Sequence, residues 1–268
     1  MKKRFRGVYT AIVTPFLENG EIDWPAFENL VERQVSAGIT GIVPCGTTGE
    51  SPTLSLEEQN ELIKKTVSIV NKRCQVIAGT GSNCTKSSVA KSKFAEELGV
   101  DACMVVNPYY NKPTQEGLYL HFKEIANSVA VPIILYNIKG RTGVNLETKT
   151  LLRLVDECSN ICAVKEASGD LDQMSEVIKS TSDDFAVLSG DDDLTLELIS
   201  RGGDGVISVA SNLIPDRMLA MVNKAFAGDM DGAVADSKSL KTLFEVEFIE
   251  TNPIPIKAAL AMKNLCKE

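Results

Sequence analysis

Eight short apolar runs punctuate the chain, at residues 8–13, 41–44, 75–78, 102–106, 133–136, 161–165, 185–188 and 205–209. They are continuous rather than alternating, as expected of parallel strands covered on both faces. Longer amphipathic stretches lie between them. Phe27, Leu30, Val31 and Val35 recur at helical spacing, and Ser55-Leu56-Glu57-Glu58 reads as a capping box that opens a helix. Gly38, Gly99 and Gly202 each close a helix-like stretch shortly before a strand, where a left-handed cap fits. Eight strand–helix units of about 30 residues predict right-handed parallel crossovers, and closure into a (β/α)8 TIM barrel of the α/β class is the natural solution. An open doubly wound sheet is the competitor, but no G-x-G-x-x-G follows any of the eight runs. The expected organisation is a catalytic barrel over 1–228, completed by a helix at 213–227, and a C-terminal helical appendage over 229–268 packed on its outside. Asn252-Pro253-Ile254-Pro255 separates the two helical patterns of that appendage, 231–247 and 254–266.

Composition narrows the function classes. A length of 268 residues suits one large barrel domain. The net charge of −8 argues against a nucleic-acid partner, which calls for a basic face, while a local Arg or Lys can still hold a small anion. The basic start Met1-Lys2-Lys3-Arg4-Phe5-Arg6 resembles a signal peptide, but the run behind it is short, broken by Thr10 and stopped by Pro15, so it reads as a first strand. No run approaches the roughly 20 apolar residues of a membrane helix, and no membrane partner is expected. Seven cysteines, an odd number with no C-x-x-C pair, predict reduced thiols and a cytoplasmic protein rather than a disulfide framework or a zinc site. One His serves the whole chain. His121 lies in a helix-like stretch without the partners of a catalytic triad or of H-E-x-x-H, and is expected on the helix surface. The chemistry must then come from Lys, Tyr, Thr, Arg or the carboxylates.

In a barrel those groups should gather where strands end. The sixth run ends Ala163-Val164-Lys165-Glu166-Ala167. Desolvation disfavours the charged form of an amine, and a neutral amine can attack a carbonyl to form a Schiff base. A Lys that leans to solvent, or pairs with Glu166, is the structural alternative. The fifth run ends at Tyr136, a phenol able to relay protons or simply to line the rim. The second run enters Gly46-Thr47-Thr48-Gly49-Glu50, a tight turn that can hold an anion with backbone and hydroxyl donors, or that is only a turn. The fourth enters Asn107-Pro108-Tyr109-Tyr110-Asn111-Lys112-Pro113, a stiff aromatic loop with the character of an interface, or one packed from beneath. Arg141, in Arg141-Thr142-Gly143 after the fifth run, can clamp a carboxylate or lie idle on the surface.

In order and spacing these motifs resemble the pyruvate-dependent Schiff-base lyase and aldolase superfamily that includes N-acetylneuraminate lyase, and within it the dihydrodipicolinate synthase family. The resemblance runs from Val13-Thr14-Pro15-Phe16 through the segments above and Ser189-Gly190-Asp191-Asp192 to Asn252-Pro253-Ile254-Pro255. It implies that Lys165 forms an imine with pyruvate and that Tyr136, Thr47 and Tyr110 form a proton relay, Tyr110 reaching into a neighbouring subunit. Thr48 and its loop would hold the pyruvate carboxylate, and Arg141 the carboxylate of aspartate semialdehyde. Gly190 and Ile207 would line the pocket. The resemblance further implies no metal or organic cofactor, and a homotetramer or homodimer.

Two departures from the family pattern stand out. Ile138-Lys139-Gly140 replaces the usual Pro before the Arg segment, which predicts a more flexible loop and a shifted Arg141. Leu56, Gln59 and Ser87 occupy the positions where lysine-regulated relatives carry His and Glu, although Asn83 and Tyr109 remain, so lysine feedback is expected to be weak or absent. Two other functions compete: a retro-aldol lyase acting on sialic acid or a 2-keto-3-deoxy sugar acid, and a non-catalytic sensor of a keto acid. The Tyr pair and Arg-Thr-Gly favour the synthase over the first. The filled set of catalytic positions favours it over the second.

Overall fold

The computed structural model describes residues 5–267, so the Met1-Lys2-Lys3-Arg4 portion of the basic start lies outside the described residues. Strands and helices alternate along the chain. The first half comprises β1 Gly7–Ala11, α1 Trp24–Ser36, β2 Gly41–Val43, α2 Leu56–Val70, β3 Gln75–Gly79, α3 Thr85–Glu97, β4 Ala102–Val106 and α4 Gln115–Ser128. Then follow β5 Ile133–Asn137, α5 Lys139–Thr142, α6 Thr148–Glu157, β6 Ile161–Glu166, α7 Leu171–Ser180, β7 Ala186–Ser189, α8 Thr195–Ser200 and β8 Gly205–Ser208. Helices α9 Pro215–Phe226, α10 Met230–Val246 and α11 Ile254–Met262 complete the chain. The strands close into one barrel in sequence order. All eight apolar runs are strands. The first stops at Ala11 because Val13 leaves the ladder and donates its N–H to the Asn212 side chain at 3.1 Å.

Local chemistry explains the helix boundaries. Ser55 accepts from the Glu58 N–H at 3.1 Å while Glu58 accepts from the Ser55 N–H at 2.7 Å, so both halves of the capping box are present at α2. Gly38, Gly99 and Gly202 take φ of 80°, 78° and 103°, the left-handed region in which a side chain is strained. The segment holding Arg141 is not a loop but the single turn α5. The Thr142 hydroxyl shares its one proton between the carbonyls of Ile138 and Val144, at 2.8 and 2.9 Å, and Gly143 caps the turn at φ 74°.

The chain divides into two compact units, one built on Ile77–Val206 and the other on Gly7–Val76 with Ile207–Glu268. In the first, β4 to β7 pair in parallel with Tyr136 opposite Lys165, Asn137 opposite Glu166 and Glu166 opposite Ser189. Leu118, Phe122 and Ile125 of α4 are fully buried, each contributing about 1.5–3 kcal/mol by leaving water. His121 lies on the same stripe. It is buried, not on the helix surface: 5% exposed, with Nδ1 2.8 Å from the Thr85 hydroxyl and its ring edge-on to Phe122. Burial holds its pKa down at about 4.

In the second unit α9 packs on β1 and α10 along α9. Arg33 donates to the carbonyls of Asn212 and Leu213 at 2.6 Å each, and the Asn212 amide donates to the Ala11 carbonyl at 2.8 Å. The segment between α10 and α11 reaches the turn after β2. There the Asn252 amide donates to the Thr48 hydroxyl at 2.9 Å and Lys257 pairs with Glu50 at 2.7 Å.

Candidate active site

Lys165 is the next-to-last residue of β6 and Tyr136 the next-to-last of β5. Their register makes them cross-strand neighbours, and the Lys165 Nζ lies 4.2 Å from the centroid of the Tyr136 ring. Both are buried, at 5% and 4% exposure, so the amine faces an aromatic wall and not bulk water. Nor does Glu166 pair with it. The strand pleat sends adjacent residues to opposite faces, and Glu166 Oε2 accepts from Ser168 and Gln173 at 3.1 and 3.0 Å. Burial pushes the Glu166 carboxyl up to about 7, against the hydrogen bonds of Asn137, Ser168 and Gln173.

The first residues beyond β7 close one side of this arrangement. The Gly190 N–H donates to the Glu166 carbonyl at 2.7 Å. A Cβ at Gly190 would collide with the Ala167 side chain, so no larger residue fits. Asp191 follows, its N–H held by the Ser189 hydroxyl at 3.1 Å. Burial pushes the Asp191 carboxyl up to about 6, with the charge of Lys165 pulling against that and Asp193 and Asp192 adding to it. A carboxyl that feels the amine's charge belongs to its electrostatic surroundings. The sequence assigns Asp191 no role, because a loop residue after one strand carries no sign of which neighbouring strand it faces.

A second feature missed in the sequence is the polar layer behind Tyr136 and Lys165. Asn137 Oδ1 accepts from Asn107 Nδ2 and from the Leu146 N–H, both at 2.9 Å. Asn137 Nδ2 donates to Asn145 Oδ1 at 2.8 Å, and Asn145 Nδ2 to Gln173 Oε1 at 2.7 Å. The layer ties β4, β5, α7 and the segment carrying Arg141 together. The period of two along a strand was a usable signal: one residue past each inward group lies a buried outward one.

Arg141 is exposed on α5, four residues beyond Asn137, with its backbone fixed by the capped turn described above. Tyr110 is 89% exposed and takes φ 73°, a left-handed conformation that costs a non-glycine residue energy. Its ring therefore does not pack beside the buried Lys165 and Tyr136 of its own chain.

In the other unit, the turn after β2 carries Thr47 and Thr48. Thr48 is buried at 2% exposure and Thr47 half-buried. The turn is closed by Glu50 N–H to the Thr47 carbonyl at 3.0 Å, and the Thr14 hydroxyl holds the Gly49 carbonyl at 2.8 Å. Gly49 suits the crowding here, since a Cβ would meet the Ile12 carbonyl oxygen at 3.1 Å, tighter than most such contacts. Ile207 is fully buried on β8.

Comparison with known proteins places this chemistry in context. Residues 4–268 match the model of the dihydrodipicolinate synthetase family. A 4-hydroxy-tetrahydrodipicolinate synthase of Syntrophus aciditrophicus is 53% identical over 98% of this chain and 90% of its own length. The enzyme of the same name from Endomicrobium trichonymphae is 51% identical, over 98% of this chain and 89% of that one. Among solved structures, dihydrodipicolinate synthase from Aquifex aeolicus superposes with a TM-score of 0.96 at 47% identity, covering 98% of this chain and 89% of that one.

Proposed function

The chain belongs to the dihydrodipicolinate synthetase family, and we infer that it condenses pyruvate with aspartate 4-semialdehyde to 4-hydroxy-tetrahydrodipicolinate, a lyase-type step of lysine and diaminopimelate biosynthesis. The observation that carries this reading is the buried Lys165–Tyr136 pair at the ends of adjacent strands.

The chemistry follows from what these groups can do. Once it has given up its proton, the Lys165 amine adds to the C2 carbonyl of pyruvate, and loss of water leaves a protonated imine. That imine withdraws electrons from the methyl carbon, so a methyl proton can leave and an enamine forms. The enamine carbon attacks the aldehyde of the semialdehyde, making the new carbon–carbon bond. The substrate's own amine then adds to C2, closes the ring and expels Lys165. One water is lost overall; the imine takes up electrons when the methyl proton leaves and when the new amine adds, and the aldehyde takes them up when the carbon–carbon bond forms.

In this reading Tyr136 and Thr47 pass protons to and from the carbinolamine, with Tyr110 of a neighbouring subunit as the third relay group. The exposure and strained backbone of Tyr110 support an inter-subunit role, and the active unit is then a homodimer or a homotetramer. Thr48 and its turn hold the pyruvate carboxylate. Arg141 clamps the carboxylate of the semialdehyde with a two-pronged guanidinium contact. Gly190 keeps the pocket wall free of side chain, and Ile207 supplies an apolar wall. Among the described residues no helix is long and apolar enough to cross a membrane, and all seven cysteines are free. Both suit our placement of the enzyme in the cytoplasm.

Purified protein given pyruvate and aspartate semialdehyde should form the cyclic product, while sialic acid and 2-keto-3-deoxy sugar acids should remain intact. Faster cleavage of a sugar acid than condensation would overturn the assignment.

A further inference from the structure

Thr48 and Asn252 lie 204 residues apart in sequence, yet the Asn252 Nδ2 donates to the Thr48 Oγ1 at 2.9 Å, and both residues are buried, at 2% and 5% exposure. A threonine hydroxyl has one proton and two lone pairs. A donor already seated on the oxygen fixes where that proton can go. It also polarises the hydroxyl and strengthens it as a donor. The reverse arrangement, with Thr48 donating to an Asn252 oxygen, would present a lone pair to an approaching carboxylate.

We propose that Asn252 is a positioning residue for pyruvate, its amide setting the direction in which the Thr48 hydroxyl donates to the substrate carboxylate. The inference rests on the reading of Thr48 as the carboxylate anchor. It gives the segment between α10 and α11 a part in substrate recognition. Two further ties hold the same turn without touching the Thr48 hydroxyl: Lys257 pairs with Glu50 at 2.7 Å, and the Thr14 hydroxyl holds the Gly49 carbonyl at 2.8 Å. The turn's position and the hydroxyl's direction are therefore separable.

The test compares Thr48→Val, Asn252→Ala, Asn252→Asp and the Thr48→Val/Asn252→Ala pair in the full-length chain. It reads the pyruvate concentration for half-maximal borohydride trapping, the KM for aspartate semialdehyde and the melting temperature. Thr48→Val should raise the pyruvate requirement about tenfold or more, the range for a lost hydrogen bond to a charged group. Asn252→Ala should raise it severalfold. Asn252→Asp should raise it further, because a carboxylate accepts the Thr48 proton and repels pyruvate. Acidification should partly rescue the Asp variant, since its protonated form donates again. The KM for the semialdehyde should stay within about twofold, because a recognition effect confined to one substrate leaves the other's binding unchanged. Asn252→Ala should add nothing to Thr48→Val. Equal defects in the Ala and Asp variants without acid rescue would overturn the inference, as would parallel increases for both substrates. Because Asp is isosteric with Asn, its acid rescue decides the matter even if Asn252→Ala does not fold. If Thr48→Val itself leaves pyruvate trapping unchanged, the anchor reading fails. If Thr48→Val weakens trapping and the Asn252 variants do not, only the role of Asn252 fails.

Discussion

His121 should titrate far below an ordinary imidazole, and protein stability should fall with it. The side chain is 5% exposed, and burial lowers its pKa from 6.5 to about 4. In the folded protein the ring is neutral throughout that interval, while in the unfolded chain it takes up a proton as soon as the pH drops below 6.5. The unfolded state therefore binds more protons between these limits, and stability present above pH 6.5 drains away as the pH falls towards 4. At about 1.36 kcal/mol per pH unit the full loss is roughly 3 kcal/mol, and about 2 kcal/mol of it is already gone at pH 5. The chain has one His, so its Hε1 ring proton gives a single histidine signal whose titration can be followed by NMR. Its midpoint should lie near 4. In parallel, denaturant midpoints of the natural protein and of His121→Asn should be followed from pH 7.5 to 5 at fixed protein concentration. The constant offset between them reports lost packing, and only the change of that offset with pH reports the titration. A ring midpoint at 6 or above, or identical pH slopes in the two proteins, would show that burial does not hold the ring neutral.

Other outcomes follow from the site. Arg141→Ala should raise the KM for aspartate semialdehyde about 10- to 100-fold, the span of a lost charge-assisted contact, while pyruvate trapping on Lys165 stays near normal; equal losses for both substrates would remove Arg141 from its assigned role. Mixing Tyr110→Phe chains with Lys165→Ala chains, each inactive alone, should restore partial activity in mixed oligomers; no recovery in verified mixtures would count against an inter-subunit relay. Lysine should inhibit poorly, because the Gln59 amide is spent on the carbonyls of Ser51 and Leu54 at 2.8 and 3.1 Å and Leu56 presents an apolar side chain; half-inhibition at tens of micromolar, an order of magnitude typical of a well-matched site, would contradict this.

The barrel was legible because its strands are buried on both faces and so appear as unbroken apolar runs, and because Ser55, Glu58, Gly38, Gly99 and Gly202 are residue types that only particular backbone geometries favour. The strand-end candidates Lys165 and Tyr136 were legible for a related reason, as polar groups directly behind apolar runs. What escaped was set by packing. His121 was expected at the surface because no catalytic or metal-ligand partner motif surrounds it, although Leu118, Phe122 and Ile125 mark its face as buried, so the helical stripe was the better guide. Arg141 was expected on a flexible loop because Ile138-Lys139-Gly140 replaces the usual Pro before it. The turn α5 exists because Thr142 bonds back to Ile138 and forward to Val144, which no propensity scale records. The link of Asn252 to Thr48 spans most of the chain, and sequence spacing alone says nothing of such a meeting.

The proposed reaction depends on an imine of pyruvate with Lys165. Reduction with borohydride in the presence of pyruvate, followed by peptide mass measurement, tests it most directly. A pyruvate-dependent reduced adduct is expected on the Lys165 peptide and none in Lys165→Ala. No adduct, or one on a different lysine, would contradict it.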